Sequence, residues 1–178
     1  MKKGLLSWIV LLLAAGMLVK LHIEWTPQLP ERVAAHFDLA GRVTRMRLTG
    51  SLGLGTWALH LGLATLVVGL MSLLHLLSPQ DIKLPNADYW RRPENFKLAC
   101  QHLRDWSRWF ASALILWGTF FDRQLFLANQ QQPPYLDPQA MIILIAAAII
   151  GTSLLIAALL IRLSLIHPVT EPVLKVDS

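Results

Sequence analysis

Four apolar runs separated by polar stretches set the frame of this chain. Leu5 to Ile23, Ser51 to Leu77, Trp109 to Ala128 and Met141 to Ile161 each approach the ~20 apolar residues a helix needs to cross a hydrocarbon core of roughly 30 Å. The second run carries no formal charge, the third carries Asp122-Arg123-Gln124 towards its end, and the fourth stops at Arg162. The pattern predicts an all-α membrane domain over residues 1–178 with transmembrane helices at about 5–24, 51–77, 109–128 and 141–162. The outer loop is then 25–50 and the inner loop 78–108.

In the outer loop, Pro27 and Pro30 end the first helix, and Asp38 to Gly41 reads as a turn. Glu31 to Phe37 between them is expected to form a short helical segment on the membrane surface. In the inner loop, Pro79, Pro85 and Pro93 make the first half irregular. From Glu94 onward Phe96, Ala99, Leu103, Trp106 and Phe110 share one helical face, with Lys97, Gln101, Arg104 and Arg108 on the other. That spacing predicts an interfacial amphipathic helix leading into the third span. Asn129 to Gln139, with Gln130-Gln131-Gln132-Pro133-Pro134, reads as a polar outer connector.

Composition supports this frame: 54% of the 178 residues are hydrophobic and 15% charged. The net charge of +5 is a topology signal rather than a nucleic-acid footprint. Lys2, Lys3, Lys83, Arg91, Arg92, Lys97, Arg104, Arg108, Arg162 and Lys175 fall on one side of a four-span arrangement. Arg32, Arg42, Arg45 and Arg47 fall on the other. Basic residues favour the cytoplasmic side, so both termini are expected inside and the 25–50 loop outside. Lys2-Lys3 also resembles the start of a signal peptide, but the run after it is long and lacks a cleavage site, so a retained helix is expected. A single cysteine, Cys100, excludes an internal disulfide and any multi-cysteine metal site.

Several residues could carry chemistry. Glycines 55, 62 and 69 recur on one face of the second run, a pattern expected to pack closely against a neighbouring helix. His60 lies deep in that run, where a titratable group is either a functional site or a neutral, hydrogen-bonded imidazole. His75 and His167 lie near the inner interface, where histidine is ordinary. Asp122 and Arg123 near the end of the third run are expected to meet Lys20 and Glu24 of the first helix, fixing register. His22, Glu24, His36, Asp38 and Asp122 gather at one level, so His22, His36 and Asp38 are weak candidates for a divalent metal. No His-Glu-x-x-His pattern supports them, and no cofactor is expected. Neither Cys100 nor Ser51 has an evident base for nucleophilic catalysis.

The run Leu29-Pro30-Glu31-Arg32-Val33-x-x-His36-Phe37-Asp38-x-x-Gly41 resembles a hallmark of a bacterial membrane domain of unknown function. That domain forms the N-terminal part of the SdpI-type immunity and signalling proteins. Leu84-Pro85-Asn86-x-Asp88-Tyr89-Trp90-x-x-Pro93 is similar to a second segment of its four-span members. Ala34 replaces a usual proline, the stretch after Gly41 lacks the usual Pro-Asp, and the second module of the full immunity proteins is not expected here. The resemblance implies a four-helix protein of the bacterial inner membrane.

Pro30, His36, Phe37, Asp38 and Gly41 are the expected recognition site for an extracytoplasmic peptide, toxin or membrane partner. Pro85, Asn86, Tyr89 and Trp90 beside Arg91-Arg92 are expected to anchor the inner loop at headgroup depth. A small proton- or ion-coupled transporter using His60 and Asp122 is the second reading. A metal-dependent membrane enzyme is the third.

Overall fold

The computed structural model describes residues 2–165; His167 and Lys175 lie outside the described residues. Helix α1 (Lys2–Trp25) leads through a 3-10 turn (Thr26–Gln28) into strands β1 (Arg32–Phe37) and β2 (Val43–Leu48). Helix α2 (Thr49–Ser72) follows directly, then the short α3 (Ala87–Trp90), the long α4 (Pro93–Asn129) and α5 (Pro138–Leu165). The protein is therefore mostly helical. The stretches Gly4–Gln28, Thr49–Leu76 and Pro138–Leu165 are long and apolar enough to cross a membrane.

Helix α4 is too polar to join those three, and its position explains why. It packs against α1, α2 and α5 and so occupies the middle of the bundle. Its buried residues include Cys100, Leu103, Ser107, Ala111, Ile115, Gly118, Asp122, Phe126 and Asn129, at the three- and four-residue spacing of one helical face. Small side chains in that row let helix backbones approach closely. A helix screened by its neighbours can carry polar groups that an outer helix cannot.

Two expectations about the loops are corrected. The outer segment Glu31 to Phe37 is not helical: β1 pairs with β2 as an antiparallel hairpin, with register irregularities around His36. The signal for this lies in β2, where Arg45 and Arg47 alternate with Thr44, Met46 and Leu48 at the two-residue period of a strand. The amphipathic segment from Glu94 is continuous with the third long helix rather than a separate element. Its apolar face packs inside the protein, where Ala99 and Leu103 join Trp90 and Leu163 in one buried cluster.

That cluster also corrects the membrane-anchor reading of the inner-loop motif. Trp90 is fully buried rather than placed at the surface, and its indole Nε1 donates to the Leu163 carbonyl at 3.1 Å. Asn86 adopts a left-handed conformation (φ 55°) and its amide donates to the Ser164 carbonyl at 2.8 Å. Tyr89 packs edge-on against Trp90, and half-buried Pro85 precedes Asn86. The motif thus clasps the end of α5. Further along α5, Trp106 and Trp117 of α4 donate to the carbonyls of Leu155 and Leu144 at 3.0 and 3.2 Å.

The glycine stripe of α2 does not pack inside the chain. A Cβ added at Gly55, Gly62 or Gly69 would meet nothing within 4 Å. The glycine that mediates close packing is Gly118 of α4, where an added Cβ would collide with the His60 ring.

Candidate functional site

Three side chains from three helices converge near the hairpin end of the bundle. His22 comes from the last turn of α1, His60 from the middle of α2, and Asp122 from α4, roughly two turns before its end. Their relative exposures are 4%, 5% and 1%. His22 Nε2 lies 2.9 Å from Asp122 Oδ2 in a buried hydrogen bond. His60 Nδ1 lies 3.5 Å from the same oxygen, too far or too poorly aligned to count as a hydrogen bond.

One carboxylate oxygen is thus addressed by two imidazoles. Among the described residues, Asp122 Oδ1, His60 Nδ1 and Trp57 Nε1 are buried polar atoms without a hydrogen-bond partner.

Local packing fixes this geometry. The His22 ring is held edge-on by Trp57 (5.6 Å between centroids) and Phe126 (5.1 Å), and Trp25 stacks on Phe126. His60 reaches Asp122 because Gly118, one turn earlier on α4, has no side chain. A bare carboxylate buried in such surroundings costs several kcal/mol unless a cation or hydrogen bonds compensate it. An imidazole that takes a proton supplies both, and histidine is the side chain that changes charge near neutral pH. The arrangement can hold a proton between one acid and two alternative bases.

The surroundings are asymmetric along the bundle. Towards the hairpin, a crevice of about 340 Å³ between α1 and α2 reaches the site, with His22 and Trp57 among its walls. Towards the opposite end, Ala14, Leu18, Ala64, Ala111 and Ile115 form an apolar layer. Beyond it, the Arg108 Nε donates to Ser7 Oγ at 2.9 Å, and its guanidinium pairs with Asp105. Ser107, Ser112 and Thr119 are satisfied by carbonyls of their own helix and form no link across that layer. Cys100 is buried on the same side, and burial pushes its thiol up while Arg104 opposes the shift.

Of the residues expected to act together, the structure joins only some. Asp122 meets His22 and His60, not Lys20, which instead pairs with Glu24 at 3.6 Å on its own helix. Arg123 is exposed, and among the described residues it has no ion pair with Glu24 or any other acid. His22, His36 and Asp38 do not meet: His22 is inside the bundle, while His36 and Asp38 are exposed on the hairpin. Among the described residues no group of three His, Cys, Asp or Glu is arranged to hold a metal. His75 is exposed and its Nδ1 contacts the Ser72 carbonyl at 2.8 Å.

The His-Phe-Asp segment builds the hairpin. Asp38 Oδ1 accepts the backbone N–H of Ala40 at 2.9 Å and of Arg42 at 2.8 Å. Gly41 has φ 78° and is pressed against Tyr135 and Leu136, so no side chain fits there. Its carbonyl accepts the Leu136 N–H at 3.0 Å, and Arg42 bridges to Tyr135. Phe37 is half-buried opposite Val43, while exposed His36 faces Arg45 across the strands. The Pro30 carbonyl accepts the Thr49 hydroxyl, closing the other end of the hairpin.

Asn129 caps the bundle with this hairpin, accepting from the Ala34 N–H at 2.6 Å and donating to its carbonyl at 2.9 Å. Gly118, Trp57 and Asn129 were absent from the sequence-based site. Nothing in their spacing announces that they face His60, His22 and Ala34.

Comparison with protein-family models, with curated proteins and with solved structures finds no match to this chain.

Proposed function

We propose that this chain is a four-span membrane protein that responds to protons through the His22–Asp122–His60 cluster. In this reading α4 is the fourth span, both termini are cytoplasmic, and the hairpin lies on the outer face of a bacterial inner membrane. The observation that carries the proposal is the single Oδ2 of Asp122 shared between two buried imidazoles. Ionisable groups at membrane depth are costly and mark functional sites by default.

The crevice touches the cluster at His22 alone, on the hairpin side, and the Leu18–Ile115 layer lies on its other side. That asymmetry favours a proton-sensing site over a continuous conducting path. Proton uptake would change which imidazole holds Oδ2, and so the fit of α2 against α4. Membership of the SdpI-type domain family remains part of the proposal and rests on the two loop motifs alone.

Trp57 lies edge-on to the His22 ring, so with the other six of the seven tryptophans replaced by Phe its emission would respond to a change in the charge of that ring. Across a pH range from acid to mildly alkaline, the full chain in nanodiscs should show a change in that emission that disappears in Asp122→Asn. Liposomes carrying the chain should show no proton flux. A flat emission profile across that range sinks the proposal, and flux abolished by His60→Leu replaces sensing with transport.

A second reading, partner recognition by the hairpin, is favoured by the exposure of His36 beside Arg45. A photo-crosslinking residue at position 37 in the native host should then capture a discrete peptide or protein, and lose it in His36→Ala. Capture of lipid alone removes this reading.

A further inference from the structure

We infer that the hairpin end of the bundle binds a phosphate-bearing lipid, with its chain in the α1–α2 crevice and its headgroup on the hairpin arginines. This rests on the hairpin lying at the membrane surface and not on titration of the buried cluster. Two independent features point to the same ligand.

The first is the crevice. Its volume of about 340 Å³ lies at the small end of ligand sites, which run roughly 300–1,000 Å³. Ile23, Pro27 and Leu54 give it apolar walls, and Gly50 and Gly53 keep it open. A Cβ at Gly50 would meet nothing within 4 Å, and one at Gly53 would meet only the His22 ring, at 4.0 Å. Trp57 lines the same crevice. A free sugar or nucleotide would leave its own polar groups unsatisfied against these walls.

The second is charge. Arg32, Arg42, Arg45 and Arg47 are exposed on or beside the two strands. Among the described residues none of them has a carboxylate partner within 4.0 Å; the ion pairs involve Lys20, His22, His60 and Arg108 instead. Asp38, the acid closest to Arg42 in sequence, is committed to backbone N–H groups of the turn. The arginine side chain presents a planar fork of donors that matches phosphate oxygens in pairs.

Sequence continuity joins the two features. Arg47 lies two residues before Thr49, which together with Gly50 lines the crevice. Met46 and Leu48 are exposed between and beside the arginines, so β2 offers apolar and cationic side chains together. The hairpin joins the ends of two helices apolar enough to cross a membrane, which sets β2 at headgroup level. An acidic peptide would satisfy the arginines but not the apolar walls of the crevice, which lies between α1 and α2.

The test is native mass spectrometry of the full chain released from nanodiscs holding equal phosphatidylglycerol and phosphatidylcholine. Phosphatidylglycerol should be retained preferentially, with the preference falling about 5-fold for each arginine removed, so that R45Q/R47Q loses most of it. Gly53→Leu should reduce retention of both lipids by filling the crevice. Equal retention of the two lipids, or a preference unchanged in R45Q/R47Q, overturns the inference. These arginines are exposed, so that arm remains decisive even if Gly53→Leu fails to fold. Glycerol phosphate, a soluble phosphate source, should not displace the lipid; displacement by it, or by an oligoglutamate peptide, would show a site that needs no chain and would also overturn the inference.

Discussion

Oδ2 of Asp122 is the atom on which α1, α2 and α4 meet, and Gly118 is the residue that lets them. The glycines of this protein are not equivalent. Gly118 faces the His60 ring with no room for a methyl group, whereas Gly62 has nothing within 4 Å of the corresponding position. Gly118→Ala should therefore lower stability by roughly 1–3 kcal/mol through overpacking. Gly62→Ala should be neutral or raise it by up to about 1 kcal/mol through helix propensity. Thermal unfolding in one detergent compares the two directly, and equal effects would contradict the close contact. His60 was singled out by its depth in an apolar run, and Asp122 by its charge near the end of another. Their meeting was not legible, because sequence spacing says nothing about which faces of two helices oppose each other. His22 was legible only as a titratable group at the right level.

At the scale of elements, the hairpin shows how one motif can be read correctly by residue and wrongly by structure. Asp38 and Gly41 were recognised as a turn, and the structure supplies its hydrogen bonds and its positive φ. Glu31 to Phe37, between the helix-ending prolines and the turn, reads from sequence as a short helical segment on the membrane surface. Pairing with β2 decides otherwise, since an extended β1 exchanges hydrogen bonds with its partner strand and lets Ala34 dock on Asn129. Asp38→Ala removes the acceptor of two backbone N–H groups, a loss of about 1–3 kcal/mol of hairpin stability. Hydrogen exchange at Ala40 and Arg42 should accelerate in that variant while α2 and α4 stay protected. Uniform protection would show that the backbone hydrogen bonds of the turn and the Tyr135–Leu136 contacts hold it without the Asp38 carboxylate.

For the whole molecule, the decisive property is the division of labour among helices. α1, α2 and α5 are long and apolar enough to cross a membrane, whereas α4 buries Ser107, Ser112, Thr119, Asp122 and Asn129 among its neighbours and leaves Lys97, Gln101 and Arg123 exposed. On the four-span reading, a single cysteine at Asp38 should react with a membrane-impermeant maleimide added to intact cells. One at Lys97 should react only after the membrane is opened. Background labelling from Cys100 should be small, because that thiol is buried and held in its protonated form. Labelling of both positions from the same side would remove α4 as a span and with it the proposed orientation.

What the sequence determined by itself is the approximate extent and the apolarity of α1, α2 and α5, because apolarity is a property of each segment taken alone. The turn at Asp38–Gly41 was legible for the same reason, being set within four residues. The tertiary structure decided everything that depends on two segments at once: the strand pairing, the clasp of Trp90 on Leu163, the outward glycine stripe and the sharing of one carboxylate oxygen by two histidines. Helix rotation and strand partners are fixed by packing between distant residues, and no local pattern carries that information.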